Sequence, residues 1–273
     1  MPGAYAILEP NCYRCPLKLK PENCAFACLN LSFELIDKES VGELAAAIVE
    51  PILSAGGVIV PPEGYLPKLK EMCEKREMLL IFDEAITGIA RTGSMFAFED
   101  CGTVPDILAL SKSLGGGIPL SSVSTSATIE EAIFNKDFLH ISSHENDPLP
   151  TRTGLAVLEV VQEENLVQQA KEKGAFLKKQ LQEMADRHEI IGDVRGKGLL
   201  IGVELVRDRE TKERAIEEGA NIFRKCQERG LLINHLKESI SVFRIAPPLT
   251  ISQEYLDRAI QMFDEAIRDA VGD

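Results

Sequence analysis

Lys112 lies in the stretch "LALSKSLGGGIPL", between two serines, just after an apolar run and just before Gly115, Gly116 and Gly117. A lysine amine at the end of a buried strand can be partly desolvated, which lowers its pKa and suits Schiff-base formation with a carbonyl. Glycines beside it let a bulky ligand approach the backbone. The same residues also make an ordinary turn with a lysine reaching solvent. They are not a Walker-type phosphate loop, because there the lysine follows the glycines. Asp83 is the second candidate. It follows "MLLIF" as Lys112 follows "DILAL". If those strands are neighbours, both side chains reach one rim of a sheet, and in open α/β sheets chemistry collects at the carboxyl ends of the strands. A plain ion pair is the competing reading. Glu50 ends "AAAIVE" and would line the same rim. Arg244 sits inside apolar "VFRIAPP" and needs an anion, either a buried structural acid or a ligand carboxylate held by two hydrogen bonds.

The surrounding pattern supplies the elements that must position these residues. "ELAAAIVEPI", "MLLIFDEA", "PDILALS" and "LSSVSTSA" read as short aliphatic strands, with a helical face of Leu66, Leu69 and Met72 between the first two. Strand, helix, strand and strand argue for a mostly parallel α/β sheet. From about residue 153 the chain becomes strongly amphipathic and helical, with Gly174 as a possible break. Strands at "GKGLLIGVELV", "LLINHL" and "VFRIAPP" follow, then a last helix opened by Ser252 and Glu254. This reads as a smaller α+β domain, so the domains expected are 1–158 and 159–273.

With 43 acidic and 30 basic residues, the net charge of −13 disfavours nucleic acid and anionic membranes as partners. No apolar stretch is long enough to span a bilayer. Seven cysteines, an odd number, fit a reducing cytosol better than a disulfide framework, so a cytoplasmic protein is expected. Cys12, Cys15, Cys24 and Cys28 have a spacing that zinc sites use. Yet "CAFACLNLSFELI" reads as a buried helix, and reduced structural thiols are the default.

The stretch "LLIFDEAITGIARTGSMFAFEDCGTVPDILALSKSLGGGIPLSSV" resembles the signature region of class III aminotransferases, fold type I enzymes that use pyridoxal 5'-phosphate (PLP). "SHENDPLP", "IGDVRGKGLLIGVELVRDRETKE" and "VFRIAPPLT" look closest to the 2,2-dialkylglycine decarboxylases of that class. The resemblance implies that Lys112 forms the imine link to the cofactor aldehyde and shuttles a proton, while Asp83 keeps the pyridine nitrogen protonated. It implies that Ser143 reaches the cofactor phosphate of the neighbouring subunit of a homodimer or dimer of dimers. Arg244 would bind the substrate carboxylate, with Glu50 in support. The substrates implied are an amino acid and a 2-oxo acid such as pyruvate, in decarboxylation or transamination. Ser143, Glu145 and Asp147 match a loop that holds an alkali metal in that branch, but no bound ion is expected here.

Several residues depart from the pattern. Ile86 replaces a glutamine beside the cofactor, and an aliphatic chain cannot hydrogen-bond. Ala55 stands where a serine hydroxyl is expected near the substrate carboxylate, and Ala90 replaces a glycine. The family's N-terminal portion, with its phosphate-binding glycines, is not recognisable in "MPGAYAILEPNCYRC". A truncated, non-catalytic homologue without PLP is therefore the alternative reading.

Overall fold

The structure is a computed structural model that describes residues 3–42, 44–136, 138, 140–236 and 241–272. The chain forms two compact units. Unit 1 comprises Met1–Pro51, Pro61–Ile89 and Met95–Asn165, and unit 2 comprises Ile52–Val60, Ala90–Ser94 and Leu166–Asp273. The units exchange at Asn165–Leu166, where the sequence reading draws its line at 158/159. Two short earlier segments also belong with the C-terminal unit.

Unit 1 is built on four strands in the order β1 (Ala46–Val49), β2 (Leu79–Asp83), β3 (Ile107–Leu110) and β4 (Ser122–Thr125). The first three run parallel, and β4 is antiparallel to β3. The β3–β4 connection is too short for the crossover helix that a parallel neighbour needs. Alternation along β2 separates two faces. Leu80 and Phe82 are fully buried with Leu29 and Phe33 of helix α1 (Ala27–Glu39) and Leu69 and Cys73 of helix α2 (Tyr65–Glu74). Burying each large apolar side chain contributes roughly 1.5–3 kcal/mol. Ile81 and Asp83 point to the other face and stay partly exposed. Helices α3 (Ala127–Phe134) and α4 (Pro148–Glu163) complete the unit.

Unit 2 starts with α5 (Leu166–Arg187). The break before it is at Glu164 and Asn165, the latter with φ 50°, and not at Gly174. Gly174 lies within α5, where an added Cβ would sit 2.2 Å from the Gly198 carbonyl oxygen. The glycine serves close approach rather than helix ending. The sheet is antiparallel, in the order β5 (Ile191–Lys197), β6 (Leu200–Asp208), β9 (Val242–Ile245) and β8 (Asn234–Leu236), with β7 (Glu213–Arg214) paired to β6. Leu200 through Val206 is buried throughout, as its apolar run requires. Helices α6 (Ile216–Glu228) and α7 (Gln253–Val271) pack with α5 on the core, where Phe243 meets Phe263 edge-on with centroids 5.2 Å apart. The Ser252 hydroxyl caps α7 by accepting from the Tyr255 N–H at 3.3 Å.

Candidate active site

The parallel strands of unit 1 deliver three charged residues to one rim. Asp83 is the last residue of β2 and is paired with Ala109 of β3. Lys112 follows β3 after one residue, Ser111, and opens a short 3-10 turn, Lys112–Gly115. Glu50 follows Val49, which pairs with Phe82, so it stands at the level of Asp83. Neighbouring strands lie about 4.8 Å apart and rise about 3.3 Å per residue, so the Asp83 and Lys112 backbones are on the order of 10 Å apart. Lys112 is exposed and has a left-handed backbone, φ 49°, which a side-chain-bearing residue seldom adopts. The turn that imposes it closes through Leu114 N–H to the Ser111 carbonyl, 3.1 Å. The glycines explain themselves locally. Gly116 and Gly117 have φ 55° and 107°, and a Cβ on Gly116 would meet Val157 of α4 at 2.8 Å.

Asp83 and Glu84 are adjacent but differently employed. The Asp83 Oδ1 accepts one bond, from the Ala85 N–H at 3.0 Å. Glu84 is 1 % exposed and accepts from Ala97 N–H (2.7 Å), Phe98 N–H (3.0 Å) and the Thr87 hydroxyl (3.1 Å). Burial pushes its carboxyl pKa up against those three donors. Glu84 thus holds the loop that follows β2, a role the sequence reading misses. Its only signal was the strand alternation that turns it away from the face of Asp83. Ile86 is half-buried in that loop, and Gly88 beyond it is tight, since an added Cβ would sit 2.9 Å from the Glu84 carbonyl oxygen. Ser143 is exposed in the turn before α4. In that turn the His144 ring pairs with Asp147 at 2.9 Å.

In unit 2 the segment Ile52–Val60 folds into a small hairpin, Leu53 and Ile59 exchanging backbone bonds of 3.0 Å each way. Ser54 is fully buried at its base, and Ala55 is exposed beyond it. The Arg244 Nη1 donates to the Ser54 hydroxyl at 3.2 Å. The hydroxyl beside Arg244 thus belongs to Ser54, one residue before Ala55. Arg195, Gly202 and Arg244 occupy one row across β5, β6 and β9. Gly202 is needed there, since a Cβ would lie 2.9 Å from that of Val58. Arg195 donates to the Gly57 carbonyl oxygen through Nε (3.0 Å) and Nη2 (2.7 Å) and pairs with Asp193 (2.7 Å) and Glu204 (2.6 Å). Arg244 has no ion pair among the described residues. Among the described residues the Arg91 guanidinium bonds carbonyls, those of Leu199 (3.1 Å) and Pro247 (2.6 Å), and burial pulls its pKa down. An apolar cavity of ≈ 410 Å³ in this unit is lined by residues including Leu177, Arg244, Leu256 and Phe263.

Among the described residues, no group of three or more His, Cys, Asp or Glu is placed to hold a metal ion. The seven cysteines are free thiols. Burial, followed by the other three thiols of the N-terminal set, raises the Cys12 pKa. No described helix is long and apolar enough to cross a membrane.

An acceptor at the end of β2 and a primary amine after β3, on one rim, fit a ligand with a basic ring nitrogen and a carbonyl. Comparison with known proteins gives the family. The family profile of class-III aminotransferases matches residues 6–267. An uncharacterised aminotransferase of Schizosaccharomyces pombe is 47% identical over 98% of this chain and 60% of its own length. A leucine/methionine racemase of Thermococcus litoralis is 40% identical over 95% of this chain and 58% of its own. Among solved structures, a PLP-bound amine transaminase from an uncultivated Pseudomonas species superposes with a TM-score of 0.88 at 33% identity, covering 96% of this chain and 60% of that one. An engineered thermostable omega transaminase does so with a TM-score of 0.93 at 31% identity, covering 100% and 62%. The chain thus spans about 60% of the length of the relatives it matches.

Proposed function

We propose, from a chain that belongs to the class III aminotransferase family, that it is the lysine-bearing portion of a PLP-dependent enzyme transferring an amino group from an amino acid to a 2-oxo acid such as pyruvate. Class III aminotransferases are PLP-dependent enzymes of fold type I. The observation that carries the reading is the shared rim of Asp83 and Lys112 at the ends of two adjacent parallel strands. Bound there, the cofactor supplies an aldehyde for the substrate amine and a ring that takes up electron density from the bond being broken.

The chain's own groups do the rest. The Lys112 amine takes a proton from the substrate α-carbon and returns it to the carbon on the cofactor side. Asp83 accepts the hydrogen bond of the ring N–H and keeps that proton in place. Arg244 meets the substrate carboxylate with a guanidinium that no described acid neutralises. Ser143 reaches a cofactor phosphate held by a partner subunit in a homodimer. Glu50 supports the rim, and Ile86 gives it an apolar wall. Decarboxylation of a 2,2-dialkylglycine needs the carboxylate fixed along the bond to be broken. Ile86 and Ala55 offer no polar contact for that, so transamination is the favoured outcome. The free thiols support a cytoplasmic setting.

The test is amino transfer by the chain joined to the upstream segment of a relative, with and without Lys112→Ala. The expected result is formation of 2-oxo acid in the parent and none in the variant, with CO2 release from 2-aminoisobutyrate no faster than transfer. Equal turnover by the variant overturns the assignment. Absence of cofactor binding by the parent identifies a non-catalytic homologue.

A further inference from the structure

We propose that Ser54 is the positioning residue for Arg244, aiming its guanidinium at a ligand carboxylate without cancelling its charge. This rests on the carboxylate-binding role given to Arg244 above.

An arginine side chain has several rotatable bonds and is useful for recognition only when its fork is held. The usual means is a carboxylate, as Asp193 and Glu204 hold Arg195. That solution consumes the charge. At Arg244 the partner is the neutral hydroxyl of Ser54, at 3.2 Å from Nη1. The hydroxyl is itself fixed. Ser54 is 0 % exposed at the base of the Leu53–Ile59 hairpin, and its own carbonyl accepts from the Gly57 (3.3 Å) and Val58 (3.2 Å) N–H groups. Val58 and Ile59 are buried beside it, and Arg195 holds the Gly57 carbonyl oxygen from the other end of the row. A rigid anchor therefore occupies one edge of the guanidinium, and the remaining N–H groups keep their full positive charge for a ligand.

The test is binding of pyruvate to the chain by titration calorimetry at fixed ionic strength, together with nuclear magnetic resonance of the arginine guanidinium groups. Rotation of the Arg244 group about its Cζ–Nε bond should be slower than that of exposed Arg224 in the unaltered protein. In Ser54→Ala it should speed up, and pyruvate affinity should fall roughly tenfold. Ser54→Cys, which keeps the size and a weak polar partner, should fall between. Ser54→Asp should abolish binding as Arg244→Ala does, by pairing with the guanidinium. If Arg244→Ala removes binding while Ser54→Ala leaves both affinity and rotation unchanged, the positioning role is wrong. If Arg244 in the unaltered protein rotates as freely as Arg224, it is wrong whether or not the variants fold. If the unaltered protein binds no pyruvate, the carboxylate-binding reading of Arg244 fails first, and this inference with it.

Discussion

Arg195 and Arg244 stand at the two ends of one row across the sheet of unit 2, with Gly202 between them, and they have opposite surroundings. Arg195 meets two acids and a backbone carbonyl oxygen. Arg244 meets a hydroxyl. The same contrast recurs between neighbours in unit 1. Glu84 accepts from three protein donors, while Asp83 accepts from one backbone N–H. In each pair the chain satisfies one charge completely and leaves capacity on the other. A charge with all its partners inside the protein holds the fold together. A charge ordered by few or neutral partners is available to a ligand.

The largest effect should separate the two arginines. Arg195→Ala leaves the Glu204 carboxylate, 1 % exposed, without its guanidinium. Removing one partner of a buried ion pair costs about 3–5 kcal/mol. Arg244→Ala strands no acid and should cost less than about 1 kcal/mol while removing carboxylate binding. Urea unfolding of the two variants measures this. Similar losses from both would break the comparison.

The two carboxylates should differ next. Glu84→Ala leaves two backbone N–H groups and the Thr87 hydroxyl unpaired in the interior, at a cost of about 2–3 kcal/mol. Asp83→Asn keeps an acceptor for the Ala85 N–H and should shift stability by less than about 0.5 kcal/mol. The measurement is again the unfolding midpoint, and a costly Asp83→Asn would make Asp83 a fold residue.

Asp264 gives the contrast a pH signature. Burial raises its pKa, but hydrogen bonds from His188 (2.7 Å), Arg268 and Arg187 (3.2 Å) outweigh that and hold it below the ordinary carboxylate range. A depressed folded pKa stabilises above the unfolded value of about 3.9, and the benefit is lost as pH falls through the folded value. Asp264→Asn should therefore cost about 2 kcal/mol at neutral pH, with the gap to the parent closing as the pH drops below about 4. A gap that is the same at both pH values would show that the pairing is not electrostatic.

Legibility followed the range of the interactions. Runs such as "MLLIF" and "DILAL" announced β2 and β3, because a short continuous apolar run is a local signal that needs no distant partner to be recognised. The rim that joins Asp83 and Lys112 followed from strand ends alone. What depended on distant contacts was not visible. Gly174 looks like a helix break in sequence, yet it is a seat for Gly198. Ile52–Val60 and Ala90–Ser94 belong with a sheet more than a hundred positions downstream. The hydroxyl beside Arg244 comes from Ser54 and not from position 55, since hairpin geometry decides which side chain faces the sheet. Ala90, noted for replacing a glycine, has φ 64°, a conformation that glycine adopts without the cost a Cβ brings.

Lys112 should show a small effect, with the opposite sign. Its left-handed φ of 49° costs a side-chain-bearing residue roughly 1–2 kcal/mol, and glycine is free of that cost. Glycine also loses more freedom on folding, which offsets roughly 0.5–1 kcal/mol of the gain. The lysine is exposed, so its removal takes little buried surface with it. Lys112→Gly should therefore be more stable than Lys112→Ala by about 0.5–1 kcal/mol, while Lys112→Ala matches the parent. All three proteins can be compared by urea unfolding under one set of conditions. A Lys112→Ala variant that loses stability would mean the lysine holds the fold as Arg195 does. A gain in Lys112→Gly alone would mean that the turn keeps its strain for the sake of the amine it carries.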